Sequence, residues 1–219
     1  LLYIKEISKD TYFLHNGLGF SIYDRQNNKI TIHVSNTKTP LEIRGFVNSD
    51  DHTFWLYTPE GLFLYDTESY SLKKIISKTN PDILKANQQA GIIYDDNDIL
   101  WIPSQNNGFT KVDVKNNTVS YLTENEGLTD NRGTVAKISK EGEVWVASQN
   151  GISIINLEQN TLTNLKEENG LIPAETYDLI ERGDLMYAAS VDGLIPIEKS
   201  LAKTTNKGFY NFNGGFGFK

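Results

Sequence analysis

Along the whole chain, stretches of about five residues alternate apolar and polar positions and are rich in β-branched and aromatic side chains. Gly, Asn and Asp clusters separate them, the punctuation of turns between short strands. Apolar positions at helical spacing are nowhere sustained, and only Asp82 to Gln89 has room for a single helical turn. The pattern therefore predicts an all-β protein.

The strands fall into copies. Gly19-Phe-Ser-Ile-Tyr-Asp24, Gly61-Leu-Phe-Leu-Tyr-Asp66, Gly108-Phe-Thr-Lys-Val-Asp113, Gly151-Ile-Ser-Ile-Ile-Asn156 and Gly193-Leu-Ile-Pro-Ile-Glu198 superpose, with their glycines 42, 47, 43 and 42 residues apart. Six residues before each glycine, or seven in the third copy, stands an aromatic: Phe13, Trp55, Trp101, Trp145 and Tyr187. Five residues after it an Asp, Asn or Glu opens a polar turn, as in Asp24-Arg-Gln-Asn-Asn-Lys-Ile-Thr31. In the fourth copy the strands read as Thr134 to Ser139, Glu143 to Ser148, Ile152 to Leu157 and Thr161 to Leu165.

A four-stranded sheet of this kind cannot bury both faces alone, so copies must stack, and a repeat of roughly 40 to 45 residues stacks radially as propeller blades. The expected fold is a β-propeller of five four-stranded antiparallel blades, near 1–36, 37–78, 79–124, 125–167 and 168–215, in a single domain or fragment. The pattern leaves open whether five blades close or form an open segment of a propeller with seven or more. Between blades the recurring aromatic packs as core rather than as a ligand platform. Two departures stand out. Pro196 lies within a third strand, where its missing N–H should weaken or bulge the ladder, and the following hairpin, Lys199 to Lys207, is enlarged.

Composition narrows the function. The 219 residues carry a net charge of −7, and only four of the 21 basic residues are Arg, which disfavours nucleic acid as a partner. With no cysteine there is no disulfide, thiolate metal site or cysteine nucleophile. His15, His33 and His52 lack metal-ligand spacing, and Gly214-Gly-Phe-Gly217 lacks the strand-to-helix setting of a phosphate loop, so neither metal nor cofactor is expected. No apolar run is long enough to span a membrane, and no membrane contact is expected within these residues. The start at Leu1 and the repeat-like Gly214-Gly-Phe-Gly217 suggest a piece of a longer array.

The fourth copy, with Glu126-Gly-Leu-Thr-Asp-Asn131, Glu143-Val-Trp-Val-Ala-Ser148 and Asn150-Gly-Ile-Ser-Ile-Ile-Asn156, resembles the two-component regulator propeller repeat. The fifth follows with Asn169-Gly-Leu-Ile-Pro173 and Ala188-Ala-Ser-Val-Asp-Gly-Leu194. The resemblance covers nearly the whole chain, and the recurrence rather than any single motif is specific. It implies a periplasmic or extracellular sensor domain of a hybrid sensor kinase, binding an oligosaccharide or signalling through homodimer contacts, without catalytic residues of its own. Any kinase activity would lie in other parts of such a protein.

Candidate chemistry lies in the loops entering each first strand and those joining strands two and three, since a rigid scaffold positions its loops for function. These loops are rich in Asn, Gln and Ser, whose paired donors and acceptors suit hydroxyl-rich ligands. Gln105, Asn106, Asn131, Arg132, Gln149 and Asn150 are the expected ligand contacts, although turn chemistry alone also favours Asn there. Glu42, Asp82, Asp130 and Glu175 are the loop acids that a polysaccharide-active enzyme would need to pair. None recurs in register, so they read as solvated acids. A protein-binding scaffold is a third reading.

Overall fold

The computed structural model describes residues 3–15, 19–33, 42–50, 52–77, 92–95, 97–104, 106–167 and 175–205. Among these described residues nineteen strands form five antiparallel sheets, four of four strands and one described through three. This is the blade architecture of a β-propeller, with the blades carried by two compact units, Leu1–Leu84 and Lys85–Lys219.

The first unit holds two blades. One is β1 (Tyr3–Ser8), β2 (Thr11–His15), β3 (Phe20–Asp24) and β4 (Lys29–His33); the other is β5 (Gly45–Asn48), β6 (Thr53–Thr58), β7 (Gly61–Asp66) and β8 (Ser71–Ser77). Their shared core is aromatic. Phe13 lies 4.3 Å from Phe46 between ring centroids and meets Phe54 edge-on at 5.3 Å, while Phe20 meets Tyr65 edge-on at 4.8 Å. These are favoured geometries for ring quadrupoles.

The second unit holds three blades. The third blade is β9 (Ile93–Tyr94), β10 (Ile99–Pro103), β11 (Phe109–Asp113) and β12 (Thr118–Leu122). The fourth is β13 (Gly133–Ile138), β14 (Val144–Ser148), β15 (Gly151–Asn156) and β16 (Thr161–Leu165), within one residue of the ranges read from sequence. The fifth is β17 (Thr176–Arg182), β18 (Leu185–Ser190) and β19 (Gly193–Glu198). Blades stack in chain order: β10 lies against β13, and β13 and β14 lie against β17. Trp145, Ala147, Ile152, Ile154 and Leu165 of the fourth blade bury against Leu179, Met186, Ala188, Ile195 and Ile197 of the fifth.

Strand pairing confirms the repeat register. Phe13 pairs with Ile22, Trp55 with Leu64, Trp145 with Ile154 and Tyr187 with Pro196, each separated by the same step in sequence. Trp101 pairs with Lys111, one residue further, so the extra residue of the third copy sits in its turn. All three tryptophans are buried as core. Two indole N–H groups donate to acids of the preceding turn, Trp101 Nε1 to Asp95 Oδ2 at 3.0 Å and Trp145 Nε1 to Glu143 Oε2 at 3.4 Å.

The glycine of the motif has a double cause. Gly151 has φ 141°, and a Cβ there would stand 2.4 Å from the carbonyl oxygen of Leu165 on the fourth strand. A side chain is excluded by conformation and by space. The polar turns repeat as closely: the backbone N–H of Asn27, Ser69, Asn116 and Gln159 donates to Asp24, Asp66, Asp113 and Asn156 at 2.7 to 3.0 Å. Each turn then closes through a left-handed residue, Asn28, Tyr70, Asn117 or Asn160.

The fifth copy departs from this. Glu198 stands where the others have Asp or Asn, and Ala202 occupies the left-handed position. A longer carboxylate fits the Asx turn poorly and Ala disfavours positive φ, while Ala is the best helix former. The chain accordingly enters a helix, α1 (Lys199–Thr205), instead of the enlarged hairpin and against the expectation of no sustained helix. Nor does Pro196 bulge its ladder: β18 and β19 pair without a register shift from Leu185↔Glu198 to Ser190↔Gly193. Among the described residues β19 is an edge strand, where a missing N–H is tolerated.

Two lysines tie α1 down. Lys199 Nζ donates to Glu141 Oε1 and Oε2 at 2.8 Å and to Glu181 Oε1 at 2.5 Å, while Lys203 Nζ donates to Glu143 Oε1 at 2.7 Å. The Lys199 and Glu181 side chains are 4% and 7% exposed. This clasp lies at the end of the sheets that carries the β13–β14 and β17–β18 turns. The predicted single turn at Asp82 to Gln89 falls outside the described residues, as do Asp82 itself and Gly214 to Gly217.

Candidate functional site

The opposite end of the second unit carries the loop entering β13 and the β14–β15 turn. A 3-10 turn at Glu124–Glu126, capped by Thr123 and ended by Gly127 at φ 106°, leads into that loop. Leu128 buries against the third and fourth blades, and Thr129 Oγ1 lies 2.7 Å from Ser148 Oγ. Asn164 Nδ2 donates to the Gly127 carbonyl at 2.8 Å, fixing the loop to β16. Backbone bonds join it to the third blade: Gly108 N–H donates to the Asn131 carbonyl at 2.6 Å and Gly133 N–H to that of Ser104 at 2.8 Å.

Four of the expected contacts converge on this framework. Arg132 donates from its backbone N and its Nε to Asp130 Oδ1 at 2.7 and 2.9 Å, and from Nη2 to Oδ2 at 2.5 Å. Asn150 Nδ2 also donates to Asp130 Oδ2. Gln149 N–H donates to the Arg132 carbonyl at 3.2 Å, and Gln149 Nε2 to Glu175 Oε1 at 3.4 Å. Asn131 and Glu124 bond reciprocally: Glu124 N–H donates to Asn131 Oδ1 at 2.8 Å and Asn131 N–H to Glu124 Oε1 at 3.0 Å. Asn106 is exposed on the neighbouring β10–β11 turn, and Gln105 lies outside the described residues.

The electrostatics follow from the pairing. The Arg132 guanidinium holds the Asp130 carboxyl below the usual Asp range, outweighing the burial that opposes it. Asp130 in turn raises Arg132, with Glu124 and Glu175 adding to the effect. Asp130 is buried while nearly half of the Arg132 side chain faces solvent. The result is a polar surface in which Arg132 and Asn150 are held by Asp130 and Gln149 by Glu175, with groups that give and accept hydrogen bonds.

Of the other loop acids, Glu42 accepts from Arg44 Nε at 3.2 Å within the first unit. Glu175 also accepts from the Tyr177 hydroxyl at 3.4 Å. Tyr177 and Glu124 were not legible as site residues from the copies alone. Tyr177 stands one residue into a first strand, a place that the motif leaves unspecified. Among the described residues no group of three His, Cys, Asp or Glu is arranged to hold a metal ion. No helix among them is long and apolar enough to cross a membrane.

Blade sheets, register and loop-borne polar site together define a β-propeller repeat protein. The chain belongs to the family described as Domain of unknown function (DUF5074), whose model matches residues 24–210. It is similar to histidine kinase P4 of Formosa agariphila, 27% identical over 225 residues that cover 94% of this chain and 15% of the kinase. Among solved structures it resembles an extracellular domain from B. thetaiotaomicron assigned to a hybrid two component system, with TM-score 0.71, 17% identity and coverage of 90% of this chain and 28% of that one. It also resembles virginiamycin B lyase from Staphylococcus aureus, with TM-score 0.68, 15% identity and coverage of 90% and 66%. The chain thus spans a minor part of the kinase and of the extracellular domain. These neighbours agree with the resemblance to two-component regulator propellers drawn from the motifs.

Proposed function

We propose that the chain is a sensor propeller of a two-component system, acting outside the cytoplasm and binding a carbohydrate-like ligand at the end of the second unit built by Asp130, Arg132, Gln149 and Asn150. The kinase relative and the extracellular neighbour support the sensor part of this reading. One observation carries the ligand part: buried Asp130 holds the exposed Arg132 and Asn150 side chains in place, a solvent-facing set of donors and acceptors that suits vicinal hydroxyls.

The Asp130–Arg132 pair argues against a general-acid role for its carboxylate. General acids at neutral pH need a raised carboxyl pKa, whereas that of Asp130 is lowered. The test is to incubate the protein with neutral and acidic polysaccharides, assay for new reducing ends and unsaturated products, and screen the same glycans by thermal shift. Binding without turnover is the expected result. Turnover lost in Asp130→Asn or Glu175→Gln would replace the sensor reading with a catalytic one.

A further inference from the structure

The first strands of the fourth and fifth blades share a bulge. Pairing runs Gly133↔Ser148 then Val135↔Ala147 in one, and Thr176↔Ser190 then Asp178↔Ala189 in the other, leaving Thr134 and Tyr177 as the unpaired residues. A bulge re-aims the side chain it carries and is a common device beside binding sites. In the fourth blade the fold uses that side chain: Thr134 Oγ1 donates to the Ala147 carbonyl at 3.1 Å. In the fifth, an aromatic replaces it and is 55% exposed. Its hydroxyl reaches Glu175, the acid that also accepts from Gln149.

We propose that Tyr177 is the platform on which one sugar ring of an uncharged oligosaccharide stacks, with Glu175 and Gln149 binding the hydroxyls at its edge. This rests on the carbohydrate reading above and adds to it a named ring and a ligand charge. An exposed Tyr offers a large rigid apolar face with little rotamer entropy to lose, next to planar polar groups that take paired hydroxyls.

The charge preference follows from a local count. Among the described residues Arg132 is matched by Asp130, while Glu124, bonded to Asn131, and Glu175, bonded to Gln149, add two further acids at this end. Uronate or sulfate groups would be repelled there, and the whole chain, at net −7, adds to that repulsion.

The experiment uses the 219-residue chain with defined probes: cellohexaose, laminarihexaose, xylohexaose and mannohexaose against hexagalacturonate and hexamannuronate. Saturation-transfer NMR and titration calorimetry read binding to wild type, Tyr177→Ala and Tyr177→Phe. A neutral probe should bind, Tyr177→Ala should weaken it roughly tenfold or more, and Tyr177→Phe should stay within about threefold. Equal binding by Tyr177→Ala overturns the platform while leaving the sugar-binding function standing. Preference for the uronates overturns the charge argument. Binding of no probe by the wild-type chain overturns the carbohydrate reading itself.

Discussion

The fourth and fifth blades are built on one register and put its positions to different uses. In the fourth, Trp145 is fully buried, Thr134 is tied to the backbone and Asn156 opens a turn closed by Asn160. In the fifth, the matching residues are a half-buried Tyr187, an exposed Tyr177 and a Glu198 that leads into α1. Where a copy keeps the consensus chemistry, the fold consumes the side chain. Where it departs, the side chain is released to solvent or recruited into a local device.

The largest expected contrast is in core packing. Trp145→Ala should cost about 3 to 5 kcal/mol of unfolding free energy, and Tyr187→Ala clearly less, as measured by urea denaturation. Equal losses would break the contrast between the blades.

Next comes the clasp of the fifth copy. Lys199→Met leaves Glu181 covered and unmatched and should cost about 3 kcal/mol, the low end for such a break because Glu141 stays in solvent. Burial lowers the Lys199 ammonium, but Glu141 and Glu181 outweigh it and leave its pKa raised. Lys199 lowers Glu141, and burial raises Glu181 less than its hydrogen bonds to Lys199 and the Lys140 N–H lower it. The carboxylates' contribution is therefore present above the ordinary Glu value of 4.5 and lost as pH falls through their lowered values. The lysine contribution is present below 10.5 and lost as pH rises through its raised value. Hydrogen-exchange protection in residues 199–205, taken relative to the intrinsic exchange rate at each pH, should fall at both extremes, and acid-insensitive protection would refute the clasp.

Glycine positions sharpen the comparison further. Gly193 is also at positive φ, 117°, but among the described residues a Cβ there meets nothing within 4 Å, unlike at Gly151. Gly151→Ala should therefore cost about 2 kcal/mol more than Gly193→Ala in the same denaturation series, because only the first adds a backbone clash to the strain.

Much of this was legible in the chain. Gly, aromatic and Asp positions each answer to one strong cause, a backbone clash, a buried ring or an Asx turn, so they recur and can be read. Helix α1 was missed because its signal is a substitution at the end of a motif, Glu198 for Asp with Ala202 at the left-handed position. Of the candidate site, Asn131, Arg132, Gln149 and Asn150 were expected from loop position, and the structure brings them together. Tyr177 and Glu175 meet through a bulge and a bond between loops, which periodicity does not encode. The smallest prediction comes from the same logic: Tyr70, at φ 55°, is the one poor left-handed residue among the four described turns. Tyr70→Asn should stabilise by about 0.5 kcal/mol, the relief being offset in part by loss of Lys29 over its ring.

The central claim, that the loop end of the second unit binds sugar without transforming it, is tested most directly by hydrogen exchange on the chain with and without a bound neutral hexasaccharide. The account predicts new protection in residues 124–132, 148–151 and 175–177, with the sugar recovered intact. Protection confined to residues 139–143 and 182–185 at the other end, or recovery of cleaved sugar, would contradict it.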